Sequence, residues 1–298
     1  MYSKEKVVER VLRGAIDIHA HTGPCVFARV GDSVDIAKMA RDYGFRGIVL
    51  KNHHGITSDR AQLVQKMLSG ISVYGGVVLN GYVGGLNPYA VEVALRWGGK
   101  IVWFPTQWAK HHLDVYGAPE YKHMQRTFAK LKPPAGITVL DDHEQLTPEA
   151  ATVLELVKEA NVALGTGHLS KEEIRVVVQK ANELGIDKII INHVTLSELW
   201  EWTIDEQKAL AAMGATIEHV AIYCMENRYL VSPQRVAEMI DAVGYKNVVI
   251  SSDCGQLRNP APPEGIRQFL HMLLEVGVEE KALHFMLKDQ PIRLLGLG

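Results

Sequence analysis

Ala15-Ile16-Asp17-Ile18-His19-Ala20-His21 decides how the rest of the chain is read. It is an apolar run closing on two histidines, and extended backbone turns both to the same side because side chains alternate along a strand. Seven more apolar runs follow, at residues 47–51, 73–79, 100–104, 162–165, 188–191, 215–218 and 247–251. Apart from one long gap after the fourth, the runs recur every 25 to 32 residues. Parallel strands need a crossover of a dozen residues or more, so this interval is that of a βα unit. The runs alternate poorly between polar and apolar, as strands covered on both faces do.

The stretches between the runs carry helix punctuation. Ser170-Lys171-Glu172-Glu173 reads as a capping box and Gly185 as the glycine that closes that helix. Ser232-Pro233 sets an N-cap and a proline at the first helical position, and Val236, Met239, Ile240 and Val243 form an apolar stripe ending at Gly244. Asn87-Pro88 and Thr147-Pro148 start two more helices in the same way. Eight strands alternating with helices over 298 residues predict an α/β fold, a closed (β/α)8 TIM barrel forming a single domain over 1–298. No GxGxxG follows a strand, which removes the main argument for an open dinucleotide-binding sheet. The long gap, 106–147, reads as an insertion after strand four. It carries Trp108, His111, His112, Tyr116, Tyr121, His123 and a hairpin at 137–140, and is either a lid over the site or a surface excursion.

Composition narrows the function classes. A formal charge of -2 and a pI near 6.7 give no field that would draw nucleic acid or an anionic membrane. The first residues lack a signal-peptide pattern and no run reaches 18 apolar residues, so a cytoplasmic protein is expected. Three cysteines without CxxC spacing point to free thiols; Cys25 and Cys254 read as small loop residues. Thirteen histidines are the compositional outlier.

Their positions matter more than their number. His19 and His21 close the first strand, His168 follows the fifth, His193 the sixth and Asp253 the eighth. Singly, each has an ordinary structural explanation such as a helix cap or a satisfied core histidine. Together they deliver four imidazoles and a carboxylate to one rim, where a barrel brings strand ends to a common centre.

This set, HxH on strand one, His on five, His on six and Asp on eight, resembles the amidohydrolase superfamily of metal-dependent hydrolases. The ending Asp289-Gln290-Pro291-Ile292-Arg293-Leu294-Leu295-Gly296-Leu297 is similar to the NPxRLLGL tail frequent there. Residues 165–170 and 251–256 look closest to a cytosolic branch near the phosphotriesterase-like enzymes. The resemblance implies a first metal on His19, His21 and Asp253, a second on His168 and His193, and Asp253 as proton acceptor. Many members bridge two ions with a strand-four lysine or glutamate, but strand four here ends Trp103-Phe104-Pro105-Thr106-Gln107. Lys51, His53, Glu218 and His219 are the candidates for bridging, second-metal or substrate roles, and one ion or two both stay open.

The expected activity is hydrolysis of an amide, lactone or ester in a small-molecule substrate, by water activated on a divalent ion. Zinc suits the imidazole-rich set, and manganese, iron or nickel would fit the same ligands. Two other readings stand beside it. The DIHAHT segment and a second strand followed by His53 are similar to polymerase-and-histidinol-phosphatase phosphoesterases, although their strand-eight DxH is absent here. A non-catalytic metal- or ligand-binding barrel is the third. Tyr82, Asn87, Trp108, Tyr223, Arg228 and Arg258 are expected to shape the pocket, no nucleic acid or membrane partner is expected, and a homo-oligomer is allowed.

Overall fold

The computed structural model describes residues 2–117 and 135–298. The strands are β1 (Ile16–His21), β2 (Gly47–Lys51), β3 (Ser72–Tyr74), β4 (Gly76–Val78), β5 (Ile101–Trp103), β6 (Ala163–Gly165), β7 (Ile189–Ile191), β8 (Thr216–Val220) and β9 (Val248–Ser251). All pairings are parallel, in the order β1-β2-β3 and then β4 to β9. Backbone hydrogen bonds close the ring beyond the end of β9. Asp253 N donates to His19 O and His21 N to Cys254 O, each at 2.9 Å. The fold is a (β/α)8 barrel, as the strand interval predicts.

Residues 73–79, expected as one strand, form two. Thr57, at the start of the helix Ser58–Met67, inserts its hydroxyl between β2 and β4, donating to Leu50 O and accepting from Gly76 N. A Cβ at Gly75 would fall 2.3 Å from Thr57 O, so only glycine lets this loop come so close. The interruption makes β3 and β4 two halves of one stave.

The barrel interior is filled by Ile16, Ile18, Val49, Val78, Ile101, Trp103, Ala163, Ile190 and Val249. Leu294 and Leu295 of the helix Gln290–Leu295 join this cluster from the far end of the chain. Burying a leucine in this way contributes about 2 kcal/mol. Arg293 fixes the tail by donating to Asp187 O and Thr216 Oγ1. The opposite strand faces, with Leu50, Val102, Leu164, Ile191 and Ile250, pack under the helices. The helix signals read from the sequence are present. Ser170 and Glu173 form a capping box, Asn87, Thr147 and Ser232 cap their helices through side-chain oxygens, and Gly185 and Gly244 adopt positive φ.

Strand β1 carries the irregularity that shapes the site. Its register against β2 shifts between Asp17 and Ala20, one extra residue standing on the β1 side. The bulge is held by Asp17, whose Oδ1 accepts from His19 N and from Ser252 N at the end of β9, each at 3.1 Å. It lets Ile18 fill the interior while His19 and His21 still face the barrel mouth.

Within the 106–147 insertion, residues 118–134, including Tyr121 and His123, lie outside the described residues. The described part forms the helix Lys110–Tyr116 and a return through Ile137. The hairpin expected at 137–140 reduces to one antiparallel bridge, Leu140 to Leu146, around a turn in which Asp141 Oδ1 accepts from His143 N and Gln145 N.

Candidate metal centre

His19, His193 and Asp253 converge at the C-terminal mouth of the barrel. One ligand atom from each lies within 4.8 Å of the others, and all three residues are buried. His19 Nε2 sits 3.1 Å and His21 Nε2 3.0 Å from Asp253 Oδ1. His193 and Asp253 both have positive φ, 30° and 49°. Such backbone is strained for a side chain larger than glycine and tends to persist where the surroundings over-determine it. Here it aims both side chains inward.

Glu218, on β8, is the buried carboxylate that organises the centre. Its Oε1 accepts from His19 Nδ1 at 3.0 Å and Ser251 Oγ at 2.7 Å, and its Oε2 from Asn192 Nδ2 and His193 N at 3.0 Å each. With these four bonds Glu218 positions His19, His193 and Asn192. Asn192 in turn accepts from Gly167 N, tying β7 to the loop that carries His168. His219, the next residue on β8, alternates to the helix-facing side, and neither ring nitrogen has a hydrogen-bond partner there.

Charge is balanced internally. Burial and the nearby Lys51 oppose a proton on His19, but Asp253 and Glu218 outweigh them and hold it up at about 9. Burial raises the pKa of Glu218 and Asp253, yet for both the charge on His19 prevails and keeps them ionised. Lys51 Nζ is 2.9 Å from His19 Nε2 and 5.2 Å from the centre of the Trp103 ring, and burial pushes it down to about 8. Burial also pushes His21 and His193 down to about 3, which leaves neutral imidazoles with lone pairs to give. Two buried carboxylates balanced by displaceable protons, neutral imidazoles and an unpartnered buried Nδ1 on His193 form a donor set that fits a divalent cation. His19 has the orientation of a ligand. With its Nδ1 proton on Glu218, Nε2 is the atom turned to the centre.

The other strand-end residues surround this group. His168 packs edge-on against His193 with ring centres 4.9 Å apart, but its Nδ1 lies 2.7 Å from Nδ1 of His112 on the insertion helix. His53 lies against His21, ring centres 4.7 Å apart, with its Nδ1 on Thr106 Oγ1 at 2.8 Å. Tyr223 directs its hydroxyl to Asp253 Oδ2 at 3.5 Å. Trp200 lies beside both His193 and His168. Of the pocket residues expected from sequence, Tyr82 packs edge-on against Trp108, while Asn87 is a helix cap, Arg258 is exposed and Arg228 pairs with Glu198. His112 and Arg29 (whose Nη2 is 3.5 Å from His21 Nδ1) were not singled out by sequence for this centre. Both reach it through loop paths that no local pattern encodes.

The parallel eight-stave barrel, with a buried histidine–carboxylate group at its mouth, shares its fold with several solved structures. The chain belongs to the family of unknown function DUF6282, whose model matches residues 14–218. Among solved structures, a probable dipeptidase from Pseudomonas aeruginosa, PvdM, superposes with a TM-score of 0.65 at 13% identity, over 99% of this chain and 98% of that one. An amidohydrolase from Pseudomonas aeruginosa gives 0.64 at 12% identity, over 97% and 98%. The phosphotriesterase homology protein from Escherichia coli, solved with phosphate in its active site, gives 0.57 at 13% identity, over 95% and 99%. No curated protein matches the sequence.

Proposed function

We propose that this chain is a metal-dependent hydrolase that cleaves an amide, lactone or ester in a small molecule, with the ion held by His19, His193 and Asp253. The observation that carries this is their convergence within 4.8 Å at the barrel mouth, over a carboxylate that fixes the imidazoles. His21 completes the set on the Asp253 side, and His168, next to His193, is the position from which a second ion would be held. Zinc suits these donors best.

A bound divalent ion supplies Lewis acidity, lowering the pKa of water from about 15.7 to about 7. The chain's own residues supply the rest. Asp253, ionised and facing the mouth, takes the proton from the attacking water. Tyr223 keeps its hydroxyl proton, since burial and Asp253 push its pKa well above the usual value, and so presents a neutral donor beside Oδ2. Trp200 and Tyr223 flank His193 and exclude bulk water on that side. Glu218 fixes the tautomer of His19 so that Nε2 remains a donor atom. The insertion helix, latched over His168 by His112, serves as a lid within one domain.

A phosphoesterase reading is supported by His53, which the fold places against His21. A panel of lactones, acyl esters, amides and phosphate monoesters, assayed with added zinc or manganese, separates the two. Turnover of acyl substrates is expected, and turnover confined to phosphate esters would reverse the order.

A further inference from the structure

The loop between β1 and the helix Ser33–Asp42 brings a guanidinium to the edge of the centre. Gly23 N donates to Gly31 O, Val30 N to Gly255 O, and Arg29 pairs with Gln256 in an isolated antiparallel bridge. The loop is therefore strapped to itself and to the segment after Asp253, which fixes where Arg29 stands. Its Nη2 lies 3.5 Å from His21 Nδ1, and its Nε is buried with no hydrogen-bond partner. Among the described residues, no ion pair reaches Arg29, whereas Arg41, Arg175, Arg228 and Arg267 each have a carboxylate partner. A guanidinium with five donors, one buried nitrogen idle and no counter-charge is set up for an anion that the chain does not provide.

Next to it runs a row of rings. Phe27 and His54 have centres 5.2 Å apart, His54 and Tyr82 4.7 Å, and Tyr82 and Trp108 5.2 Å. These residues come from the loops after β1, β2, β4 and β5, so the row lines one side of the mouth. Arg29 lies at its Phe27 end, 6.0 Å from that ring.

We propose that Arg29 is the anion-recognition residue of this site, taking the carboxylate or phosphate of a small substrate whose planar body lies along the Phe27–His54–Tyr82–Trp108 row. The inference deepens the hydrolase reading and rests on it for the word substrate.

The test is calorimetric titration of the purified protein with benzoate, phenyl phosphate and the uncharged benzamide, with metal content measured on the same samples. At least one anion binds tenfold or more tighter than benzamide, and which one distinguishes a carboxylate from a phosphate substrate. Arg29→Gln removes that preference while leaving benzamide unchanged, and Arg29→Lys retains part of it, since charge stays but the two-pronged geometry goes. Anions that bind no tighter than benzamide, or a preference intact in Arg29→Gln, overturn the proposal. A protein without an ion that still shows the Arg29-dependent preference defeats the hydrolase reading alone. A metal-loaded protein without the preference defeats this proposal alone.

Discussion

Glu218 Oε1 accepts the Nδ1 proton of His19 at 3.0 Å, and through that one bond β8 sets which nitrogen β1 turns to the centre. The same carboxylate holds the backbone of His193. The placement of His19 and His193 therefore depends on one carboxylate of β8. Glu218→Gln keeps the shape but replaces an acceptor oxygen with an N–H that opposes its donors. Metal affinity is expected to fall about 10- to 100-fold, measured by competition with a chromophoric chelator. Unchanged affinity would mean that Glu218 is only a packing element.

Asp253 joins two roles, holding His19 and His21 through Oδ1 and facing Tyr223 through Oδ2. Asp253→Asn removes the proton acceptor while an amide can still occupy the space. Its kcat on the best acyl substrate is expected to fall by about 100-fold or more with the far-ultraviolet spectrum unchanged. Wild-type turnover in this variant would remove Asp253 from the chemistry.

The lid reading makes a prediction about motion. His112 ties the helix Lys110–Tyr116 to His168, while His111 bonds Leu199 O and Tyr116 bonds Glu198. Loss of one hydrogen bond of about 1 kcal/mol raises local opening about fivefold. In His112→Ala, amide exchange over 110–116 should quicken by that factor while β5 and β6 keep wild-type protection. Uniform acceleration across the barrel would make the helix part of the core, not a lid.

On the helix Pro262–Glu275, Glu264 receives hydrogen bonds from Arg267, Gln268 and the hydroxyl of Tyr43. Those bonds, Arg267 foremost, hold its carboxyl down at about 2 against an ordinary 4.5. A carboxyl depressed in the folded state stabilises fully above 4.5 and loses that contribution as pH falls toward 2. Because the pair is partly solvent-screened, Glu264→Gln is expected to cost only about 1 kcal/mol at pH 7. The difference from wild type should shrink steadily below pH 4.5 in denaturant titrations, and a constant difference would rule out this charge as the cause.

The strands were legible because each is a short apolar run buried on both faces and spaced by its crossover helix. What the sequence hid were features made by two segments meeting. The bulge in β1 exists because Asp17 bonds both His19 N and Ser252 N, and the split of the third stave exists because Thr57 enters it. The same division holds at the centre. His19, His21, His193 and Asp253 stand at strand ends, where barrel geometry alone brings them near one another. Lys51 and His53 also come close, against His19 and His21. Glu218 comes to the centre with four hydrogen-bond partners, and His219 falls on the far face by simple alternation. His168 arrives beside His193, but its Nδ1 meets His112. That partner comes from the helix Lys110–Tyr116 of the insertion, whose approach to the centre no periodicity describes, and the loop that carries Arg29 is hidden in the same way.

Zinc binding, followed by calorimetry on chelator-treated protein with elemental analysis of the product, tests the central claim most directly. The account predicts that wild type takes up at least one equivalent of zinc and that His193→Ala and His19→Ala lose it. His219→Ala, whose ring lies on the other face of β8, should bind as wild type does. Wild-type protein that takes up no zinc, or His19→Ala and His193→Ala proteins that bind it unchanged, would contradict the account.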